Sequence, residues 1–254
     1  MPIIEVDKLV KKYPVPGDSS ETFFAVDAIS FDIAEGEVFG ILGPNGAGKT
    51  TTLEMLEGLC EIDGGSARVA GIDVQTRPFE VKQVIGVQLQ ANEYFDMLSL
   101  AELLNLFAAL YGRTIEPEKL LDKVNLQEKI SAKPENLSGG QKQRFSIACA
   151  LVNDPKILFM DEPTTGLDPQ AKHNLWSLVQ ELNKAGMTIV LTTHNMEEAE
   201  FLCQRIAIMD HGKIVANDYP DRLIQKYAPE PPKAALRGNM EDVFLALTGH
   251  GLRD

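Results

Sequence analysis

The chain has 254 residues and a formal net charge of −13, with 37 Asp and Glu against 24 Lys and Arg. Nucleic-acid binders and proteins held on anionic lipid depend on Lys/Arg-rich segments. No such run occurs here, which disfavours a polyanion as the chief partner. A hydrophobic content of 44% with 24% charged residues is that of a folded globular chain, long enough for one large α/β domain or a core with a subdomain. No apolar run approaches the ~18 residues of a membrane span, and the opening Met-Pro-Ile-Ile-Glu-Val-Asp carries no basic leader or signal core. Cys60, Cys149 and Cys203 show no metal-binding spacing and read as reduced thiols of a cytosolic protein.

Residues 3–10 and 23–33 cluster or alternate apolar side chains in the manner of strands, and Pro14 to Ser20 reads as an exposed loop between them. An apolar run from Glu37 to Leu42 then leads into Gly43-Pro44-Asn45-Gly46-Ala47-Gly48-Lys49-Thr50-Thr51. A helix to about Leu59 follows, with Leu53, Leu56 and Leu59 on one stripe. Strand, glycine-rich loop and helix are the setting that gives G-x-x-x-x-G-K-[ST] its mechanism. Glycines let backbone N–H groups converge on phosphate oxygens without Cβ obstruction, and the helix presents its positive dipole end to the anion. Lys49 is placed to reach the β- and γ-phosphates, and Thr50 to offer a hydroxyl to Mg²⁺. The expected ligand is a nucleoside triphosphate.

Residues 66–74 and 84–89 read as further strands. Ser99 and Glu102 form a capping box for a helix bearing Leu103, Leu104, Phe107, Leu110 and Tyr111, closed by Gly112. The whole stretch 99–134 is mainly helical, an insertion into an α/β core. Leu137-Ser138-Gly139-Gly140-Gln141 opens the next helix, which runs to about Asn153. Ser138 caps it, and the glycines bare N–H groups to a second anion. Two anion sites cannot easily grip the same phosphates from one subunit, so each chain is expected to offer this second site to its neighbour's nucleotide.

The strand at 156–160 ends in two acids. Asp161 is placed to orient Mg²⁺, and Glu162, pointing differently from the strand end, to act as general base on water. Asp168 caps a helix that starts at Pro169 and stops before Gly186. A strand from Met187 to Thr192, a helix near 195–203 and a strand from Arg205 to Met209 complete a parallel sheet covered on both faces. In such sheets ligands bind at the carboxyl ends of the strands. The last helix has Asn239 as cap, Met240, Val243, Phe244 and Leu247 on one stripe, and Gly249 at its end. It is expected to dock on the chain's own core, with a contact to another subunit as the other reading.

The order GPNGAGKTT (43–51), LSGGQ (137–141), ILFMDEP (157–163), GLD (166–168) and TTH ending in His194 spans nearly the whole chain. It resembles the ATPase subunit of an ATP-binding cassette (ABC) transporter. That resemblance implies a P-loop NTPase core with a mainly parallel sheet, an N-terminal antiparallel β subdomain and a helical insertion at about 91–137. The ATPase domain would cover 1–227, and a short proline-bearing linker with the last helix 228–254. It also implies a head-to-tail dimer holding two ATP molecules, each between the 43–51 loop of one subunit and Ser138, Gly139, Gly140 and Gln141 of the other.

On the same pattern Asp168 belongs to a loop that contacts the partner's site, and His194 senses the γ-phosphate. Gln90 fits the glutamine between core and insertion, which joins Thr50 and Asp161 at the metal and Glu162, His194 and Lys49 in catalysis; Gln88 is the competing position. Tyr13 matches the aromatic that stacks on adenine, with Phe23 and Phe24 as alternatives.

The stretches DEPTTGLDP (161–169), THNMEEAE (193–200) and MEDVFLALTGHGLRD (240–254) resemble exporters of drugs, polysaccharides and similar compounds whose permease is a separate protein. The resemblance therefore implies a peripheral subunit on the inner face of the membrane, bound to a polytopic permease and a second ATPase subunit, with export as the direction and no nucleic acid. The reading from another class is a soluble ABC ATPase acting on nucleic acid, ribosomes or cluster assembly. Such proteins carry long coiled coils, duplicated cassettes, zinc modules or basic surfaces, and none is visible in this sequence.

Overall fold

A computed structural model describes residues 2–15, 17–88, 94–95, 97–228 and 240–248. Strands β1 (Pro2–Val15) and β2 (Asp18–Ala34) form a long antiparallel hairpin. The stretch expected to be a loop from Pro14 to Ser20 is largely strand, because the ladder continues through Tyr13↔Phe23, Pro14↔Thr22 and Val15↔Asp18. Thr22, Phe23 and Phe24 suit a pleated surface, and Gly17 takes the left-handed φ of 90° at the turn.

Strand β3 (Val38–Leu42) feeds the phosphate loop and α1 (Lys49–Leu56). This helix stops short of Leu59, which is exposed. Gly58 adopts φ 68°, and the Leu59 N–H folds back onto Glu54 O at 2.9 Å. Then come β4 (Gly64–Val69), β5 (Ile72–Asp73), α2 (Pro78–Val84) and β6 (Ile85–Gln88). Helices α3 (Leu100–Leu110) and α4 (Pro117–Lys123) and two short 3-10 turns follow, with no strand among the described residues between β6 and α5 (Gly139–Ala150). The Ser99–Glu102 capping box is formed in both directions.

Alternation resumes with β7 (Ile157–Asp161), α6 (Pro169–Lys184), β8 (Thr188–Thr193), α7 (Met196–Leu202) and β9 (Arg205–Asp210). An edge strand β10 (Lys213–Asp218) and helices α8 (Pro220–Tyr227) and α9 (Met240–Thr248) complete the described chain.

The strands make two sheets. One is antiparallel, in the order β2-β1-β4-β5; the other runs β10-β9-β3-β8-β7-β6 and is parallel except for β10. Period-2 alternation divides the core. Leu42, Leu158 and Met160 face a layer that includes α3, α5, α6 and α7, whereas Phe39, Ile41, Ile157 and Phe159 face α1 and the antiparallel sheet. Both faces are thus covered, and the carboxyl ends of β3, β7 and β8 share one edge.

Helix α9 buries Met240, Val243 and Phe244 with Leu223 and Ile224 of α8, so it docks on its own chain. Its expected cap Asn239 and terminator Gly249, like Gln90, lie outside the described residues.

Candidate functional site

The phosphate loop is held where only glycine fits. The Gly43 N–H donates to Thr193 O at 3.2 Å, and a Cβ at Gly43 would lie 2.2 Å from Met209 O. Gly48 has φ 102°, and a Cβ there would lie 2.2 Å from Ala25 O. As N-cap of α1, Gly48 brings no side-chain acceptor, so the first-turn amides of Lys49, Thr50 and Thr51 remain open to an anion. Lys49 is 4% exposed, and its Nζ donates to Gly43 O at 2.9 Å and Pro44 O at 3.1 Å. Its third contact is Glu162 Oε1 at 3.1 Å.

The end of β7 sends its two acids to different tasks. Thr50 Oγ1 lies 3.0 and 3.2 Å from the two oxygens of Asp161, and the Thr192 hydroxyl donates to the same carboxylate. Glu162 then takes φ 46°, rare for a residue with a Cβ, and its N–H is fixed by Thr192 O at 3.2 Å and Thr192 Oγ1 at 3.0 Å. This turn separates the Glu162 side chain from that of Asp161. Its Oε2 meets His194 Nδ1 at 3.0 Å and accepts from Thr165 Oγ1 at 3.1 Å. Burial works to raise the pKa of Glu162, but Lys49, His194 and Thr165 outweigh it and hold the carboxyl below its ordinary value.

Lys49, Thr50, Asp161, Glu162 and His194 therefore converge from α1, β7 and the end of β8. Sequence reasoning missed Thr192 and Thr165, which orient the two acids. The available signal was the run of threonines beside each motif, in PTTG after Glu162 and TTH before His194.

Other expected residues lie apart from this cluster. Ser138 and Gln141 close a reciprocal capping box at the start of α5, with Ser138 N–H to Gln141 Oε1 at 2.9 Å and Gln141 N–H to Ser138 Oγ at 3.3 Å. Gly139 and Gly140 abut Leu167 and Ala171 near the start of α6. Among the described residues no hydrogen bond or ion pair joins this helix start to the phosphate loop. Asp168 caps α6 by accepting the Ala171 N–H at 2.9 Å.

Gln88 ends β6 and is fully buried. Tyr13 is half-buried, with its hydroxyl 3.5 Å from Cys60 Sγ and its ring 6.2 Å from that of Phe23. Phe23 and Phe24 are both 46% exposed, and the Phe24–Ala25 backbone lies against Gly212 and Gly48, so all three aromatics stay open as the adenine platform.

Thr50 and Asp161 offer only oxygen, the donor type of hard divalent cations. Among the described residues no group of three or more His, Cys, Asp or Glu side chains could hold a metal. Among the described residues a cation here would find two protein oxygens, leaving places in its shell for phosphate, water and a further ligand such as Gln90, which fits Mg²⁺.

Comparison with known proteins gives concordant matches. The family model described as "ABC transporter" matches residues 26–165. "Nod factor export ATP-binding protein I" of Burkholderia pseudomallei is 38% identical, over 90% of this chain and 93% of that protein. Its counterpart in Paraburkholderia xenovorans is 37% identical over 99% and 98%. A solved structure described as the ATP-binding subunit of an ABC transporter superposes with a TM-score of 0.78 at 28% identity, covering 97% of this chain and 99% of that one. A dimeric ATP-binding cassette in a post-hydrolysis state with ADP and Pi gives 0.75 at 27%, covering 85% and 98%. The chain belongs to the ABC transporter family, as one of its ATP-binding ATPase subunits.

Proposed function

We propose that this ATPase powers export through a separate membrane permease, working as a head-to-tail dimer with two composite ATP sites. The observation that carries the reading is the convergence of Lys49, Thr50, Asp161, Glu162 and His194 on one strand-end edge. In the proposed mechanism the amides of the 43–51 loop and Lys49 hold the phosphates. Thr50 and Asp161, with Gln90, would hold Mg²⁺, which would supply positive charge to offset that of the phosphates. Glu162 takes a proton from the attacking water as that oxygen bonds to the γ-phosphorus. The bond from that phosphorus to the β–γ bridging oxygen breaks, ADP leaving with the electron pair, and His194 hydrogen-bonds the γ-phosphate. Ser138, Gly139, Gly140 and Gln141 close over the partner's nucleotide, with Asp168 beside them. Tyr13, or Phe23 or Phe24, stacks on adenine.

Export is supported by relatives at 37–38% identity that are named for Nod factor export. A separate permease is supported by the helices, since no described one is long and apolar enough to cross a membrane. The chain would then act as a peripheral subunit on the cytoplasmic face, with 1–227 as the ATPase domain and 228–254 as an appended linker and helix. Measuring ATP hydrolysis against protein concentration, with and without Mg²⁺, tests this. The expected result is Mg²⁺-dependent turnover that rises more steeply than linearly with concentration; strict proportionality at all concentrations would rule out a composite site.

A further inference from the structure

A second buried network lies behind the phosphate site. Glu198, on α7 four residues after His194, is fully buried, and its Oε1 accepts the Trp176 indole N–H at 3.0 Å. Trp176 is buried on α6 between Phe201, stacked with centroids 5.0 Å apart, and His173, edge-on at 5.0 Å. Asn195 caps α7 by accepting the Glu198 N–H at 3.1 Å, and its own N–H donates to Thr193 Oγ1 at 2.9 Å. The Thr193 and Thr164 side chains lie near the Glu198 carboxylate, whose Oε2 is buried with no hydrogen-bond partner among the described residues. One acid therefore gathers the strand end that carries His194, the loop between Glu162 and Asp168, and the helix that Asp168 caps.

A packing role does not call for such a residue. A carboxylate in a core costs several kcal/mol unless it is paired, and an apolar side chain would fill the space without that cost. Burial indeed pushes the Glu198 pKa up, against the donors that favour its charge. What the acid adds is direction, because the hydrogen bond to the indole fixes α7 and α6 in one relative position. His194 immediately precedes the cap of α7, and Trp176 lies about two turns into α6 from Asp168.

We infer that Glu198 is a positioning residue that, through Trp176, makes the His194 loop and the Asp168 loop move together. The inference rests on the reading above, in which His194 serves the chain's own nucleotide and Asp168 the partner's. A change of partner at His194 shifts Asn195 and Glu198, and the indole carries that shift along α6 to the partner's site. The two ATP sites of the dimer thereby sense each other.

The test is steady-state ATP hydrolysis by the full chain, as a function of ATP, at protein concentrations where dimers form. Glu198→Ala is expected to lower kcat about tenfold with KM changed less than about twofold, and to reduce a Hill coefficient above 1 to about 1. Glu198→Gln, whose amide oxygen still accepts the indole N–H, should restore both. Trp176→Phe keeps the ring packing, removes the donor and should match Glu198→Ala, with the double variant no worse than either single one. If Glu198→Ala fails to fold, Trp176→Phe and Glu198→Gln carry the comparison. Intact cooperativity in Trp176→Phe, or losses that add in the double variant, would overturn the inference alone. A wild-type enzyme with no cooperativity and concentration-independent turnover would instead overturn the composite-site reading, and this inference with it.

Discussion

Lys49 Nζ lies 3.1 Å from Glu162 Oε1, and the other oxygen of that carboxylate meets His194 Nδ1 at 3.0 Å. One acid thus bridges the two groups that the proposed mechanism assigns to the γ-phosphate. Lys49 has three ammonium protons, and Gly43 O, Pro44 O and Glu162 account for all three. In the proposed mechanism the γ-phosphate takes Lys49 from Glu162, one anion replacing another, and that exchange would release the carboxylate towards water when the phosphate is present.

Replacing Glu162 with Gln removes both the base and the charge that competes for Lys49. Hydrolysis should fall by on the order of 10²-fold or more, while ATP affinity stays the same or tightens. Single-turnover hydrolysis alongside equilibrium ATP binding checks both halves. Near-normal turnover would remove Glu162 from the role of base.

Composite sites make a prediction about mixing. Lys49→Ala leaves the subunit's own phosphate loop defective, and Ser138→Arg spoils what it offers to its neighbour. Each homodimer then has no intact site, whereas the heterodimer has one. Random pairing at equal amounts puts half the chains in heterodimers, so activity should recover to about a quarter of wild type when the sites act independently. An ATPase complete within one chain would show no recovery on mixing.

Motifs whose geometry is set within a few residues were legible from the sequence. The Ser99–Glu102 and Ser138–Gln141 boxes and the Asp168 cap depend on neighbours three positions away, and the phosphate loop on its own glycines. The arm beyond Pro14 was misread because Pro, Gly and Ser mark loops, while cross-strand pairing with Thr22 and Phe23 outweighed composition. Helices α2 and α8 and the edge strand β10 went unread, being 7, 8 and 6 residues long and too short for a clear period. Contacts such as Thr192–Asp161 and Trp176–Glu198 join residues 31 and 22 positions apart. Only the fold reveals them.

Glu57, 3% exposed at the end of α1, has its pKa pushed up to about 8 by burial first and by Asp161 and Glu54 next. An unfolded glutamate titrates near ~4.3. Between the two values the folded state binds the extra proton, so this contribution is fully present below the unfolded pKa and is lost as pH rises through the folded one. The loss over that window is on the order of a few kcal/mol. Glu57→Gln should therefore melt about 5 °C or more above wild type at pH 8 and close to it at pH 5. Parallel melting curves at both pH values would show that Glu57 ionises freely in the fold.

The proposed permease is the remaining partner, and exposed apolar residues suggest a place for it. Leu59, Phe79, Phe95 and Met97 are exposed by 57, 80, 64 and 79%. A Cβ at Gly58 would lie 3.0 Å from that of Pro78, so the segments bearing Leu59 and Phe79 meet at one edge. An exposed apolar pair such as Leu59 and Phe79 suits a protein contact, and in sequence Phe95 and Met97 follow Gln90, the glutamine expected at the metal. Closing the dimer over ATP would move this edge and with it any permease helix seated there, turning binding energy into motion. Expressed with its permease, the protein should sediment with membranes and be stripped by high salt more readily than an integral protein. Phe79→Glu with Leu59→Glu should release it from membranes while leaving ATP binding within about twofold, since neither residue belongs to the nucleotide site. Gln90→Ala should keep the protein on membranes and uncouple transport more than it weakens ATP binding. Recovery of the native protein wholly with nucleic acid or ribosomes, and none on membranes, would replace the permease with a soluble partner.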